Sequence, residues 1–250
     1  MNSPLFNTYE KLRALGAASE SFEIVKTVHD YRLYFKPEKV KTVLLAESHV
    51  YTSDDDFQSE LPSDYLSGYP KKYVRFVYCL GYGENELLNK PIPKNSGTPE
   101  FWKIFYSCCN ETNSTGDCDP VLSSKTTALH QRIQNKLKLL NTLKEQGIWL
   151  LDASVVGLYI PGGSKPTQNI REVCIRSCWD LLIRDILIQE DPERLICIGK
   201  GVYDTLQYQL KKLFKDRITV NPLPSAFLKS AERTRVLKSY YDLCNMDSVR

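Results

Sequence analysis

The chain has 250 residues, 42% hydrophobic and 25% charged, with a net charge of +3, which is ordinary for a soluble globular protein able to bury a large core as one α/β domain or two small ones. So mild a charge does not mark a nucleic-acid protein, although a local basic face fits inside such a total. No apolar run approaches the length of a bilayer span, and Met1–Phe6 has neither a basic start nor a secretory apolar core. The expectation is an intracellular protein, cytoplasmic or nucleoid/nuclear, that does not use a membrane.

Residues 1–36 form a helical lead-in: Tyr9, Leu12 and Leu15 share one helical face before Gly16, and Phe22, Val25, Val28 and His29 mark a second short helix. The run Val43-Leu44-Leu45-Ala46 then has the composition of a strand buried on both faces, and it stops abruptly at Glu47, Ser48, His49 and Tyr51. In open α/β sheets ligands bind beyond the carboxyl ends of the strands, so these four residues are candidates to face a pocket. The alternative is an ordinary strand exit meeting water. Asp54-Asp55-Asp56 is either a solvated loop or a collector of a divalent cation.

Tyr73–Cys79 has strand composition and ends at Gly81-Tyr82-Gly83. Residues 89–120 read as an irregular insertion around one short helix, Phe101–Tyr106. Leu129, Ile133, Leu137, Leu140 and Leu143 have the spacing of an amphipathic helix that stops at Gly147, and Ile148–Asp152 follows as a second buried strand ending in a carboxylate. Pro161–Pro166 is a loop in which glycines and Lys165 can approach a phosphate. A long helix over 169–189 surrounds Trp179 and is closed by Asp191-Pro192.

Arg194–Ile198 is a third buried strand, running through Gly199-Lys200-Gly201 into a helix whose start can receive an anion. The last strand, 216–220, leads to Asn221-Pro222-Leu223-Pro224-Ser225, a stiff loop from which Leu223 and Phe227 project, followed by a basic C-terminal helix. Strands alternating with amphipathic helices predict a single three-layer α/β/α sandwich with a mainly parallel central sheet.

Cys79 and Cys197 sit in apolar runs and Cys174 and Cys178 on a helix, as free core thiols do. Cys108, Cys109 and Cys118 lie in a polar stretch, but their spacing is not a standard ligand set and no histidine is near, so neither a metal nor another cofactor is expected.

Taken together, the strand ends resemble the uracil-DNA glycosylase superfamily over roughly residues 37–228. Ala46-Glu47-Ser48-His49-Val50 stands where that family carries its first motif, with Glu47 matching the acidic position of one branch. Phe76, followed by Pro91-Ile92-Pro93 and the 101–105 aromatic island, resembles the family's base-stacking aromatic and its setting. Leu150-Leu151-Asp152 resembles a Leu-Leu-Asn strand end that reads the base edge, Cys178-Trp179-Asp180 a helix-opening Trp-acidic pair, and Asn221–Ala226 the second catalytic motif.

The resemblance implies a DNA glycosylase that flips and excises a modified or deaminated base from single- or double-stranded DNA. It places water activation at Glu47 or His49 and the leaving group at Asn221. Ser48, Tyr51, Phe76 and Asp152 then bind the base, and Lys165, Lys200, Leu223, Pro224 and Ser225 hold the DNA. Asp152 departs from the family's asparagine: ionised, it only accepts hydrogen bonds and suits a base edge rich in donors, whereas protonated it mimics the amide. The alternative is a module of the same fold that binds nucleic acid or a partner and has lost the reaction.

Overall fold

The computed structural model describes residues 3–62, 66–123, 128–161, 163 and 166–246. Lys165, expected at a phosphate, lies outside the described residues.

The lead-in is two helices, α1 (Pro4–Ala14) and α2 (Phe22–Tyr34). Ser3 caps the first by accepting from Phe6 N at 3.2 Å, and Pro4 occupies the position where no N–H is needed. β1 (Thr42–Ala46) follows, then the single turn α3 (Asp54–Phe57), capped by Ser53. After a long connection come α4 (Pro99–Cys109), α5 (Leu129–Glu145) and β2 (Ile148–Asp152). Gly147 makes the turn between the last two at φ +78°, where an added Cβ would lie 2.9 Å from Lys39 O. The remainder is α6 (Gln168–Cys178), α7 (Arg184–Glu190), β3 (Arg194–Ile198), α8 (Lys200–Phe214), β4 (Ile218–Asn221) and α9 (Ser230–Asn245).

The expected long helix over 169–189 runs through α6 and α7 as one path, widened into a π-helical turn at Trp179–Ile183. Such a turn takes in an extra residue without breaking the helix, and here it carries the buried Trp179.

Among the described residues the sheet has four strands in the order β2-β1-β3-β4, every pairing parallel. Successive strand residues alternate between its faces. Leu44, Ala46, Leu150, Ile196 and Ile198 join one core with Trp102, Phe105, Leu140 and Leu237, under α4, α5 and α9. Val43, Leu45, Trp149, Leu151, Leu195 and Cys197 join the other with Leu12, Cys178, Leu187 and Leu206, under α1 and α6–α8. Burial on both sides explains why β1, β2 and β3 read as apolar runs, while β4 at the sheet edge is only half-buried. The α/β class and the parallel sheet are as expected, in the layering of an α/β/α sandwich.

Two expectations need correction. Tyr73–Cys79 is not a strand: after an isolated bridge from Lys72 to Glu60 it folds into tight turns, with Phe76 N donating to Val74 O and Cys79 N to Phe76 O, both at 2.9 Å. Its aromatics are buried because they fill the space beneath α4, and burial alone is what their composition encodes. Cys108 and Cys109 belong to α4 rather than to a loop, and Cys118 is buried beside them. The helix expected within 89–120 is α4, and its residues Trp102, Ile104, Phe105 and Cys108 are core. Among the described residues no group of three or more acidic, histidine or cysteine side chains is placed to hold a metal ion. No helix among them is long and apolar enough to cross a membrane.

Candidate functional site

The strand register sets Ala46 beside Asp152 and Ile198 beside Asn221, so the carboxyl ends form one edge. Beyond that edge β1 and β2 stay joined: Ala153 N donates to Ala46 O at 2.8 Å, Ser154 N to Glu47 O at 2.9 Å, and Tyr51 N to Tyr159 O at 3.0 Å. Gly157 lies against this seam. A Cβ there would come within 2.7 Å of the Tyr51 backbone, so only glycine lets the two exits close.

A cavity of about 320 Å³ opens at this edge. Glu47, Ser48, His49, Phe76, Asp152 and Leu223 are in its wall, with apolar surface from Val77, Phe101, Leu150 and Ile198. The size and the mixture of apolar wall and few polar groups are those of a small-molecule site.

His49 is held in the wall by a buried carboxylate. Its Nε2 lies 2.9 Å from Glu20 Oε2, with both side chains fully shielded from solvent. Glu20 Oε2 also accepts from Gly157 N at 2.7 Å, and its Oε1 accepts from Thr52 N at 2.7 Å. A carboxylate holding two backbone donors offers the imidazole only an acceptor, so Nε2 carries the hydrogen it donates to Oε2. Nδ1 is buried without a partner among the described residues.

Asp152 is at the floor, 2% exposed in its side chain, with Oδ2 accepting from Arg32 Nη2 at 2.7 Å. The guanidinium carbon of Arg32 also sits 5.1 Å from the centre of the Phe76 ring, a cation–π contact. Phe76 packs edge-on against Tyr78, whose phenol receives Leu150 N at 3.0 Å, so the aromatic wall is fixed to β2.

Glu47 is also engaged. Its Oε1 is 2.6 Å from Arg171 Nε, a close ion pair whose angle falls short of a hydrogen bond. Beside it Tyr159 has its phenol pushed up to about 12, first by burial and then by the Glu47 charge and hydrogen bond. Arg171 and Glu47 rest against Gly201 in the first turn of α8, where a Cβ would lie 2.5 Å from Arg171 Nη2. Ser48 Oγ accepts from Leu158 N at 3.3 Å.

The other expected residues stand apart from the cavity wall. Tyr51 contributes its backbone to the seam, and its phenol is raised by burial and then by Glu20, Asp54 and Asp56. Asn221 is buried with Oδ1 accepting from Ser239 Oγ at 2.7 Å, which turns it toward α9, while Nδ2 has no partner. Lys200 is exposed at the start of α8. Pro224 is buried and Ser225 half-buried at the base of the loop, while Leu223 reaches the cavity and Phe227 is 100% exposed. Asp56 of the acidic triplet is used structurally, accepting from Arg75 Nη2 at 3.0 Å.

Sequence reasoning missed Glu20, Arg32, Tyr159 and Arg171. Only Arg32 left a signal, since it follows Val25 and Val28 on the buried face of α2. A charged residue on such a face needs a buried partner. These features define a three-layer α/β protein with a histidine-bearing cleft at the carboxyl edge of its sheet. No protein-family model, curated protein or solved structure matches the chain.

Proposed function

We propose that this chain is a DNA glycosylase of the uracil-DNA glycosylase type, drawing one nucleotide out of the stack and hydrolysing its N-glycosidic bond. The observation that carries the reading is the carboxyl edge of the sheet: a nucleobase-sized cavity lined by Glu47, Ser48, His49, Phe76 and Asp152, in which the imidazole is oriented by Glu20 and packs edge-on against Phe76. The cavity is closed over Nδ1, so nucleotide binding must open a place for a water there; that water gives its proton to the ring as its oxygen bonds to the sugar C1′, and the base departs with the electrons of the broken C–N bond. Phe76 stacks on the extruded base, and Leu223 at the mouth fills the gap left in the duplex. Arg171, Lys200 and the first turn of α8 form the basic rim that meets phosphates.

A second reading, a binding module without catalysis, is favoured by one observation. Both carboxylates in the wall are committed to arginines, Glu47 to Arg171 and Asp152 to Arg32. One assay separates the two, using single- and double-stranded oligonucleotides carrying uracil, hypoxanthine, xanthine, damaged guanines or mismatches. Abasic sites formed by the wild type and abolished by His49→Ala support the glycosylase. Salt-sensitive binding without cleavage supports the module, and absence of both overturns both readings.

A further inference from the structure

We propose that the cavity selects a base with adjacent N–H donors on its pairing edge, the N1–H and N2–H₂ of a guanine-type purine, and rejects imide bases such as uracil. The selector is Asp152, with Arg32 as its positioning residue. This inference rests on the reading of the cavity as a nucleobase site.

Three observations carry it. First, Arg32 is always a cation, and at 2.7 Å from Oδ2 it makes Asp152 its carboxylate partner, so Asp152 is an acceptor only. Second, Oδ1 has no partner among the described residues and is not among the sealed-off polar atoms, which leaves it facing the cavity that Asp152 lines. Third, the two other buried polar side chains of the wall bring no donor into the cavity: His49 is engaged with Glu20 through Nε2 and its Nδ1 is closed to solvent, and Arg75 is spent on Asp56, Pro93 O and Lys94 O. The deep part of the site therefore offers the Asp152 acceptor and asks for donors.

An imide edge has one N–H flanked by two carbonyl oxygens. A carboxylate that takes the N–H brings its charge against those oxygens, and an acceptor facing an acceptor leaves both unpaired. A guanine edge places two donors side by side, and Oδ1, an oxygen with two lone pairs, can receive both without meeting a carbonyl. Oxidised and alkylated guanines such as 8-oxoguanine and 7-methylguanine keep that edge. Arg32 fixes the carboxylate's charge and its tilt toward the cavity, while the cation over Phe76 holds the stacking ring beside it.

The test compares 8-oxoguanine, 7-methylguanine, uracil and hypoxanthine in otherwise identical oligonucleotides, read as excision rate and as equilibrium binding with 2′-fluoro nucleotides that resist cleavage. The wild type should favour the guanine-type bases over uracil by roughly tenfold or more in binding. Asp152→Asn, which keeps the shape and adds a donor, should reverse that order while its melting curve stays cooperative. Arg32→Lys keeps a cation and should weaken the preference without reversing it. Equal or better binding of uracil by the wild type, or an unchanged order in Asp152→Asn, overturns the proposal. If nothing is excised but the binding order holds, the catalytic reading fails and this one stands. If no base is distinguished in binding, this one fails whatever is excised.

Discussion

His49 and Glu20 meet at 2.9 Å although 29 residues separate them along the chain, and the contact joins the carboxyl end of β1 to the loop between α1 and α2. Glu20 accepts three hydrogen bonds there, from His49, Thr52 and Gly157. Glu20→Gln retains a single acceptor oxygen, so at least one of the three is lost, and the carboxylate charge beside the imidazole is removed. If His49 is the base, cleavage should fall by roughly 10²–10⁴-fold. Glu20→Ala should also lower stability by about 1–3 kcal/mol for each backbone donor left unpaired. Single-turnover kinetics and urea unfolding of the same preparations check both effects. An unchanged rate in Glu20→Gln removes His49 from the chemistry.

Arg32 and Asp152 are both nearly inaccessible, at 4% and 2% side-chain exposure, and each is the other's charge partner. Removing one leaves a buried charge. Arg32→Met should therefore destabilise the fold by about 3–5 kcal/mol, whereas Arg32→Met combined with Asp152→Leu should recover most of that loss. Urea midpoints of the single and double variants measure it, and a double variant no more stable than Arg32→Met would show that the ion pair is not the cause.

β1, β2 and β3 were legible because each holds an unbroken apolar run ended by a polar residue or glycine, and β1 and β2 stop in the side chains that line the cavity. Tyr73–Cys79 carries the same composition for a different reason: its rings are buried beneath α4 with no strand pairing. Composition reports burial and is silent on where backbone hydrogen bonds go. Glu47, Ser48, His49 and Asp152 were legible at strand ends and Leu223 on its stiff loop, whereas Phe76 was singled out only by the family resemblance, from inside an expected strand that does not form. Their partners were not. Glu20 and Arg32 reach His49 and Asp152 across 29 and 120 residues, and no local spacing encodes so distant a pairing.

His29 supplies a pH dependence that does not involve the cavity at the sheet edge. Burial first, and then the Arg32 charge, lower its pKa from 6.5 to about 4; Lys26 adds to this and Asp30 opposes it. Between those two values the unfolded chain holds a proton that the folded one does not, so stability rises with pH across this window. It is complete above 6.5 and is lost as pH falls toward 4, by up to about 3 kcal/mol. Urea unfolding at pH 7 and pH 4.5 should show the loss, and His29→Gln should reduce it. An identical loss in the variant assigns the slope to other groups.

Leu223 tests the nucleic-acid reading at its edge. Pro222 and Pro224 restrict the backbone on either side of it, and Tyr240 anchors the base of the loop by donating to Pro222 O at 3.1 Å. The side chain is 36% exposed and also lines the cavity, the placement needed to enter a duplex as a base leaves it. In single-stranded DNA there is no stack to fill. Leu223→Ala should thus slow action on, or binding to, double-stranded substrate by roughly tenfold or more, the scale of a few kcal/mol of unstacking. The single-stranded substrate should change little. Phe227, fully exposed a short way along the same loop, is the control for general loss of apolar contact. Phe227→Ala should weaken both substrates alike or neither. Equal losses on both substrates for Leu223→Ala would make it a wall of the pocket rather than a wedge, and the duplex would lose its role in the proposal.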